Sequence, residues 1–158
     1  MGTLNLSKFV PGTHYGDDVT PENAFDYEKI RKYVKILVRF LDNVNSYSSA
    51  PLREYIESMH KKRRIGCGVM GWGSALFMLN VRFASDKAIA IQEKLMSTYA
   101  RAAYEASIDL AVEKGKFELC DNQLHAEGIF IKSLGLSEEY QQKLLKYGIR
   151  NASLMSQQ

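Results

Sequence analysis

Four charges, four glycines and a dense apolar run fall within Lys61 to Asn80, KKRRIGCGVMGWGSALFMLN, and this stretch constrains the fold more tightly than any other. A short strand is expected over Ile65 to Val69. Gly71 and Gly73 then turn the chain into an apolar helix over Ser74 to Leu79. Glycines at alternate positions let a second backbone approach closely, or supply φ values that other residues adopt only under strain. The predicted unit is a strand, a turn and a helix, with Gly66, Gly68 and Gly71 as a structural glycine corner.

The same three glycines spell G-x-G-x-x-G, and Asp86 lies near the distance at which a dinucleotide fold places its ribose-binding acid. The context differs from that fold. The strand before the glycines is very short, no second strand is expected within the roughly 30 residues of a βαβ unit, and Ser85-Asp86 reads as a helix N-terminus. Close packing is the favoured reading of the corner, and dinucleotide contact is the alternative.

Along the chain, Leu4 to Val10 reads as extended. Thr20-Pro21-Glu22 supplies a capping hydroxyl, a proline at the first helical position and an acid at the positive helix end, so a helix is expected from there to about Asn45. Its apolar stripe is Ile30, Val34, Leu37, Leu41 and Val44. Lys29, Lys32, Lys35 and Arg39 gather opposite, and Tyr33, Ile36 and Phe40 widen the apolar arc enough to touch a second neighbour. A second helix is expected from Pro51 to Lys62, with Leu52, Tyr55, Ile56 and Met59 inward, closed by the basic run His60 to Arg64. That run reads as solvated, with phosphate binding as the alternative. The longest helix is predicted from the Ser85-Asp86 cap to Lys114, its stripe Ala88, Ile91, Leu95, Tyr99, Ala102, Ala106 and Leu110, stopped by Gly115. Lys116 to Lys132 reads as irregular. Ser137 caps a last helix ending before Gly148, and Ile149 to Ser156 reads as a strand.

A content that is 46% hydrophobic and 25% charged is ordinary for one globular unit. Cys67 and Cys120 stand far apart without C-x-x-C spacing, and His14, His60 and His125 are scattered, so buried thiols and ordinary histidines are expected and no metal site. The net charge of +3 supports neither nucleic-acid nor membrane binding. No apolar run approaches the roughly 18 residues of a membrane span, and no signal peptide is recognisable, so a cytoplasmic location is expected.

Three motifs in order carry a resemblance. Arg63-Arg64-Ile65-Gly66-Cys67-Gly68-Val69-Met70-Gly71 resembles the R-R-I-G-x-G-V-M-G segment of the large catalytic subunit of ribonucleotide reductases, particularly the adenosylcobalamin-dependent and related forms. Gly2-Thr3-Leu4-Asn5-Leu6-Ser7-Lys8-Phe9-Val10 is similar to the end of that family's C-N-L-G-S-I-N-L-S-K-F-V. Tyr147-Gly148-Ile149-Arg150-Asn151-Ala152-Ser153-Leu154 is similar to the G-x-R-N-A-x-L strand that precedes its P-T-G phosphate loop.

The resemblance implies α/β architecture, a segment of a ten-stranded α/β barrel, with mainly α content and two or three short strands in residues 1–158. It implies radical chemistry in which a thiyl radical on a loop cysteine abstracts a ribose hydrogen, an Asn and a Glu assist, and two further cysteines supply electrons. The parent enzyme would draw its radical from adenosylcobalamin or a small subunit. Met1 stands at the leucine of C-N-L-G, and the P-T-G loop would follow Gln158, so catalytic cysteines are expected outside this chain and no catalytic residue within it. Ser156, Gln157 and Gln158 would be substrate-proximal. No cofactor is expected on the segment itself, and the expected partners are the remaining segments of the catalytic subunit, with self-association through bare strand edges. The alternative function is a helical interaction module built on a reductase-derived fold.

Overall fold

The computed structural model describes residues 1–154. The order is β1 (Gly2–Asn5), α1 (Tyr27–Tyr47), α2 (Arg53–Lys62), β2 (Cys67–Met70), α3 (Trp72–Leu79), α4 (Asp86–Lys114), α5 (Asn122–Glu127), α6 (Ile129–Ser133) and α7 (Glu138–Tyr147). Short 3-10 turns at Leu6–Phe9 and Gly16–Asp18 lie between β1 and α1.

Both ends of α4 fall where its sequence places them. The Ser85 hydroxyl accepts from the Ala88 amide at 3.2 Å, and Gly115, with φ +83°, closes the helix by donating to the Ala111 carbonyl. Such a cap satisfies one of the amides a helix start leaves without a partner. Every member of the predicted stripe from Ala88 to Leu110 is buried. Ala100, Ala103 and Ala111 are buried as well. Small side chains over so wide an arc let α1 lie close along α4, and this pairing is the main helical contact of the molecule.

On α1 two expectations change. The helix begins at Tyr27, not at Pro21, because Asp26 is its cap and accepts from the Lys29 amide at 2.9 Å. Thr20 and Pro21 lie in a preceding turn, held by Asn23, whose side chain accepts from Thr20 N and donates to Asp18 O. The buried side also differs: it carries Ile30, Val34, Val38 and Leu41 and continues into Asp42 and Asn45, whereas Val44 faces out. On α2 the helix starts at Arg53. Its inward positions Ile56 and Met59 are only half-buried, and Leu52 and Tyr55 are exposed.

The two strands are parallel, with Gly2 opposite Cys67, Thr3 opposite Gly68, Leu4 opposite Val69 and Asn5 opposite Met70. Beyond Asn5 the chain tightens into the 3-10 turn, so the extended stretch is shorter than Leu4 to Val10. The strand expected from Ile149 to Ser156 is not formed as such within the described residues. The backbone nevertheless runs along the other side of β2: Ser153 O accepts from Ile65 N at 2.9 Å and Leu154 O from Cys67 N at 3.0 Å. The ladder does not begin earlier because Arg150 N donates to Ser107 O and Asn151 N to Ser107 Oγ, which commits both amides to α4.

Lys116 to Lys132 is more ordered than expected. The Asp121 carboxylate accepts from the Leu124 amide at 3.0 Å and starts α5, and Gly128 separates it from α6. The last helix, α7, begins at its predicted Ser137 cap and ends at Gly148, with φ +74°.

Candidate functional site

Asp42, on the inward side of α1, is fully buried, a costly place for a carboxylate without partners. Its partners come from three other elements. Arg63 Nε and Nη2 donate to Oδ1 at 3.0 and 2.7 Å, and Arg150 Nε reaches Oδ1 at 3.3 Å. Asn151 Nδ2 donates to the same Oδ1 at 3.1 Å and also to Arg63 O at 3.1 Å. Lys114 Nζ stands 3.8 Å from Oδ2.

The surroundings tie this knot into the fold. Ser107 Oγ donates to Asn151 Oδ1 at 2.9 Å, Arg63 Nη2 also donates to Asp42 O and Ser46 Oγ, and Arg150 Nη1 caps the end of α4 at Lys114 O and Gly115 O. Arg63 itself takes left-handed backbone, φ +48°, at the end of α2, which turns its side chain inward. The basic run His60 to Arg64 is therefore not simply solvated: Arg63 is buried, while His60, Lys61 and Arg64 are exposed. Burial opposes ionisation of Asp42, yet the hydrogen bonds and charge of Arg63, the charge of Arg150 and the Asn151 bond together hold its carboxyl below the ordinary value. A carboxylate so tightly satisfied is a poor general base, and the arrangement acts by fixing β2 against residues 149–154.

The glycine corner runs along β2, from Gly66 just before it through Gly68 to Gly71 just after it. Gly66 O accepts from Gly2 N at 2.9 Å, and Gly68 O accepts from the Tyr99 hydroxyl at 3.0 Å. The positive φ of the corner falls at Gly71, φ +76°, where a Cβ would stand 2.4 Å from Asn5 Oδ1. That Asn5 oxygen is engaged, accepting from Ser7 N and Ser7 Oγ. The carboxyl ends of β1 and β2 are thus locked side by side. α3 starts directly after Gly71, at Trp72, two residues before the expected Ser74.

Cys67 and Cys120 are both buried free thiols. Desolvation raises the Cys67 pKa to about 11 and raises that of Cys120 as well. His14 and His60 are exposed, and His125 packs edge-on against Phe117 with its pKa lowered by burial. No cluster of three or more His, Cys, Asp or Glu able to hold a metal ion occurs among the described residues. Ser156, Gln157 and Gln158 lie outside the described residues. Sequence reasoning missed Asp42, Ser107 and Asn45. Their signal was polar side chains at the buried phase of a helix, Asp42 one turn after Val38 and Ser107 between Ala106 and Ile108.

The description "Ribonucleotide reductase, barrel domain" belongs to a family whose model matches residues 1–158. The chain belongs to this family. It is similar to the vitamin B12-dependent ribonucleoside-diphosphate reductase of Thermoplasma acidophilum, 32% identical over 117 residues, which is 74% of this chain and 14% of that protein. The protein of the same name from Mycobacterium tuberculosis is 31% identical over 117 residues, 74% of this chain and 15% of its own length. The ribonucleoside-diphosphate reductase large subunit of Caenorhabditis elegans is 29% identical over 146 residues, 87% of this chain and 18% of its length. The reductase-family chain described here thus spans under a fifth of these relatives. Arg63, Arg150 and Asn151, which lie in its family motifs, meet at Asp42.

Proposed function

We propose that this chain supplies part of the catalytic barrel of a ribonucleotide reductase. It would contribute to reducing ribonucleotides to deoxyribonucleotides by radical chemistry only together with the remaining segments of the catalytic subunit. One observation carries the reading. The three motif stretches become lateral neighbours: β1 pairs in register with β2, and residues 153–154 hydrogen-bond along β2's other side. Adjacent parallel staves are what a barrel wall requires. Among the described residues no strand pairs with the outer edge of β1, which leaves that edge for the next stave.

Within this role the Asp42 knot holds the approach to residues 155–158, and the corner at Gly71 holds the ends of β1 and β2. Ser156, Gln157 and Gln158 are then the substrate-proximal residues, and Gly66, Gly68 and Gly71 are structural. The buried thiols Cys67 and Cys120 lack the exposure and lowered pKa of reactive cysteines, so the radical and redox cysteines come from outside residues 1–158. The named B12-dependent relatives favour adenosylcobalamin over a small-subunit radical as the source of that radical. No residue of this chain is assigned to hold it. A cytoplasmic location is part of the proposed role; separately, no helix among the described residues is long and apolar enough to cross a membrane.

The test is complementation. The chain alone, with a radical source, is expected to turn over no ribonucleotide, whereas the same chain with the remaining catalytic-subunit segments regains turnover. Turnover by the chain alone that disappears in Cys67→Ser or Cys120→Ser would overturn the proposal. So would a complemented sample that is folded and inactive.

A further inference from the structure

Two cations of the basic run are left over by the Asp42 knot. Lys62 and Arg64 flank the buried Arg63, and among the described residues neither side chain makes an ion pair or a hydrogen bond. Both line a cavity of about 210 Å³ together with Tyr55, Ser58 and Met59. On α2 the positions 55, 58, 59 and 62 share one helix face, an arc of about 100°, and Arg64 joins them from the segment that leads into β2.

The backbone of this cavity is fixed. Lys62 O accepts from Ala152 N at 3.0 Å and Arg64 O accepts from Asn45 Nδ2 at 3.4 Å. Arg63 is turned inward onto Asp42, which leaves the side chains before and after it to the cavity. Among the described residues no carboxylate lines it. Glu57 pairs with Arg53 at 2.9 Å, and Glu54 stands two turns from Lys62, about 12 Å along the axis. The negative end of the α2 dipole opposes an anion here. Two of its carbonyls are engaged, however, Met59 O by Arg63 N and Lys62 O by Ala152 N, and His60 and Lys61 add positive charge to the same end.

We propose that this cavity binds a phosphate monoester, its phosphoryl group between Lys62 and Arg64 and its organic part against Tyr55 and Met59. A guanidinium offers a planar fork to two phosphate oxygens and an ammonium a point charge to a third. The Ser58 hydroxyl is a further donor beside them. Tyr55, 62% exposed, presents a bare ring, and Met59 a polarizable thioether, so the apolar wall suits a flat group. A volume below the roughly 300–1,000 Å³ of drug-sized sites admits only a small ligand. Partly exposed charges make the binding weak and salt-sensitive. The proposal does not rest on the reductase reading.

Titration of the 158-residue chain with inorganic phosphate and with phenyl phosphate, at constant ionic strength and followed by nitrogen–proton NMR, tests this. Saturable shifts are expected at residues 58–64, with phenyl phosphate bound about threefold more tightly or better. Lys62→Gln and Arg64→Gln should each weaken binding about fivefold or more. Lys61→Gln removes the same charge off the pocket face and should change nothing. Tyr55→Ala should abolish the preference for phenyl phosphate and leave inorganic phosphate bound. Circular dichroism checks each fold, and Arg64→Gln decides the matter if Lys62→Gln disturbs the helix end, since Arg64 is exposed. Shifts that do not saturate, or that Lys61→Gln weakens as much as Arg64→Gln, would reduce the site to a diffuse positive surface and overturn the proposal. Equal affinity for the two probes would overturn it as well. So would loss of phosphate binding on adding the remaining reductase segments, by giving the two cations a protein carboxylate instead.

Discussion

Arg63 Nη2 lies 2.7 Å from Asp42 Oδ1, both side chains are buried, and the two residues come from helices that otherwise touch little. The pair therefore joins the end of α2 to the C-terminal third of α1, and Asn151 extends the join by bonding both Asp42 Oδ1 and Arg63 O. Exchanging a buried ion pair for well-packed apolar groups can be neutral, but removing one partner leaves the other charge uncompensated. Asp42→Ala is expected to lower stability by about 3–5 kcal/mol. Asp42→Asn, which keeps shape and part of the hydrogen bonding, should fall between that variant and the unsubstituted chain. Urea unfolding checks both, and a loss under about 1 kcal/mol for Asp42→Ala would show the knot to be dispensable.

The same carboxylate sets a pH dependence. Its folded pKa lies below the ordinary 3.8. Its stabilisation is therefore fully present above the unfolded value and is lost as the pH falls through the folded one. Stability should decline as acid is added below about pH 4, and Asp42→Asn should flatten that part of the curve as well as lower it. Thermal melts at closely spaced pH values measure the difference. An equally steep acid limb in Asp42→Asn would assign it to other carboxylates.

Gly71 combines two constraints, positive φ and a Cβ position 2.4 Å from Asn5 Oδ1. Gly71→Ala should cost roughly 1–3 kcal/mol from backbone strain, with the Asn5 contact adding to it. Asn5→Ala should relieve the contact and leave the strain, so the double variant is less destabilised than the sum of the singles. Full additivity in denaturant titrations would mean that the Asn5 side chain moves aside freely. In neither variant should a dinucleotide raise the melting temperature. A ligand-dependent shift in the unsubstituted chain that Gly71→Ala abolished would restore the cofactor reading of the corner.

Much of the framework was legible because it is local. Ser85, Gly115, Ser137 and Gly148 are terminators whose chemistry acts within one turn, and α4 and α7 end at them. The α4 stripe was legible because apolar spacing alone marks a helix face buried against a neighbour. The start of α1 was misplaced because two caps compete six residues apart. Thr20 offers one, but Asn23 draws that segment into a turn, and Asp26 caps the helix. What the local code does not contain is long-range polar pairing. Arg63 belongs to a basic run that looks solvated, and its burial depends on a carboxylate 21 residues away and an amide 88 away. The third extended segment was blurred for the same reason, since Ser107, far off in sequence, takes the amides of Arg150 and Asn151.

Tyr99 tests the contact between α4 and the corner. Its ring is fully buried and its hydroxyl donates to Gly68 O at 3.0 Å. Burial, with the neighbouring Cys67, drives its pKa well above the usual tyrosine value, so it stays a donor at all working pH. Tyr99→Phe keeps the ring and should cost about 1 kcal/mol for the lost hydrogen bond. Tyr99→Ala should cost about 3–5 kcal/mol, as for other large aromatic truncations. Near-equal losses in a chemical denaturation series would mean that the hydroxyl, not the ring, carries the contact.

Hydrogen exchange tests whether the Asp42 knot acts as a mechanical fastening. The amides of Ile65, Cys67 and Ala152 are each bonded across the seam between residues 62–67 and 152–154. That seam is held by a few backbone hydrogen bonds, while the middle of α4 is buried on most of its circumference. These three amides are expected to exchange at one common rate, faster than those around Ala103. In Asp42→Asn the seam amides should accelerate together while the α4 amides change less, because the knot closes the seam and leaves the helix packed on α1. If Ile65, Cys67 and Ala152 exchange at unrelated rates, the seam is not a single cooperative unit. If instead they match the α4 core and respond to Asp42→Asn only in step with it, the chain opens solely by global unfolding, and the knot has no separate task of holding residues 152–154 against β2.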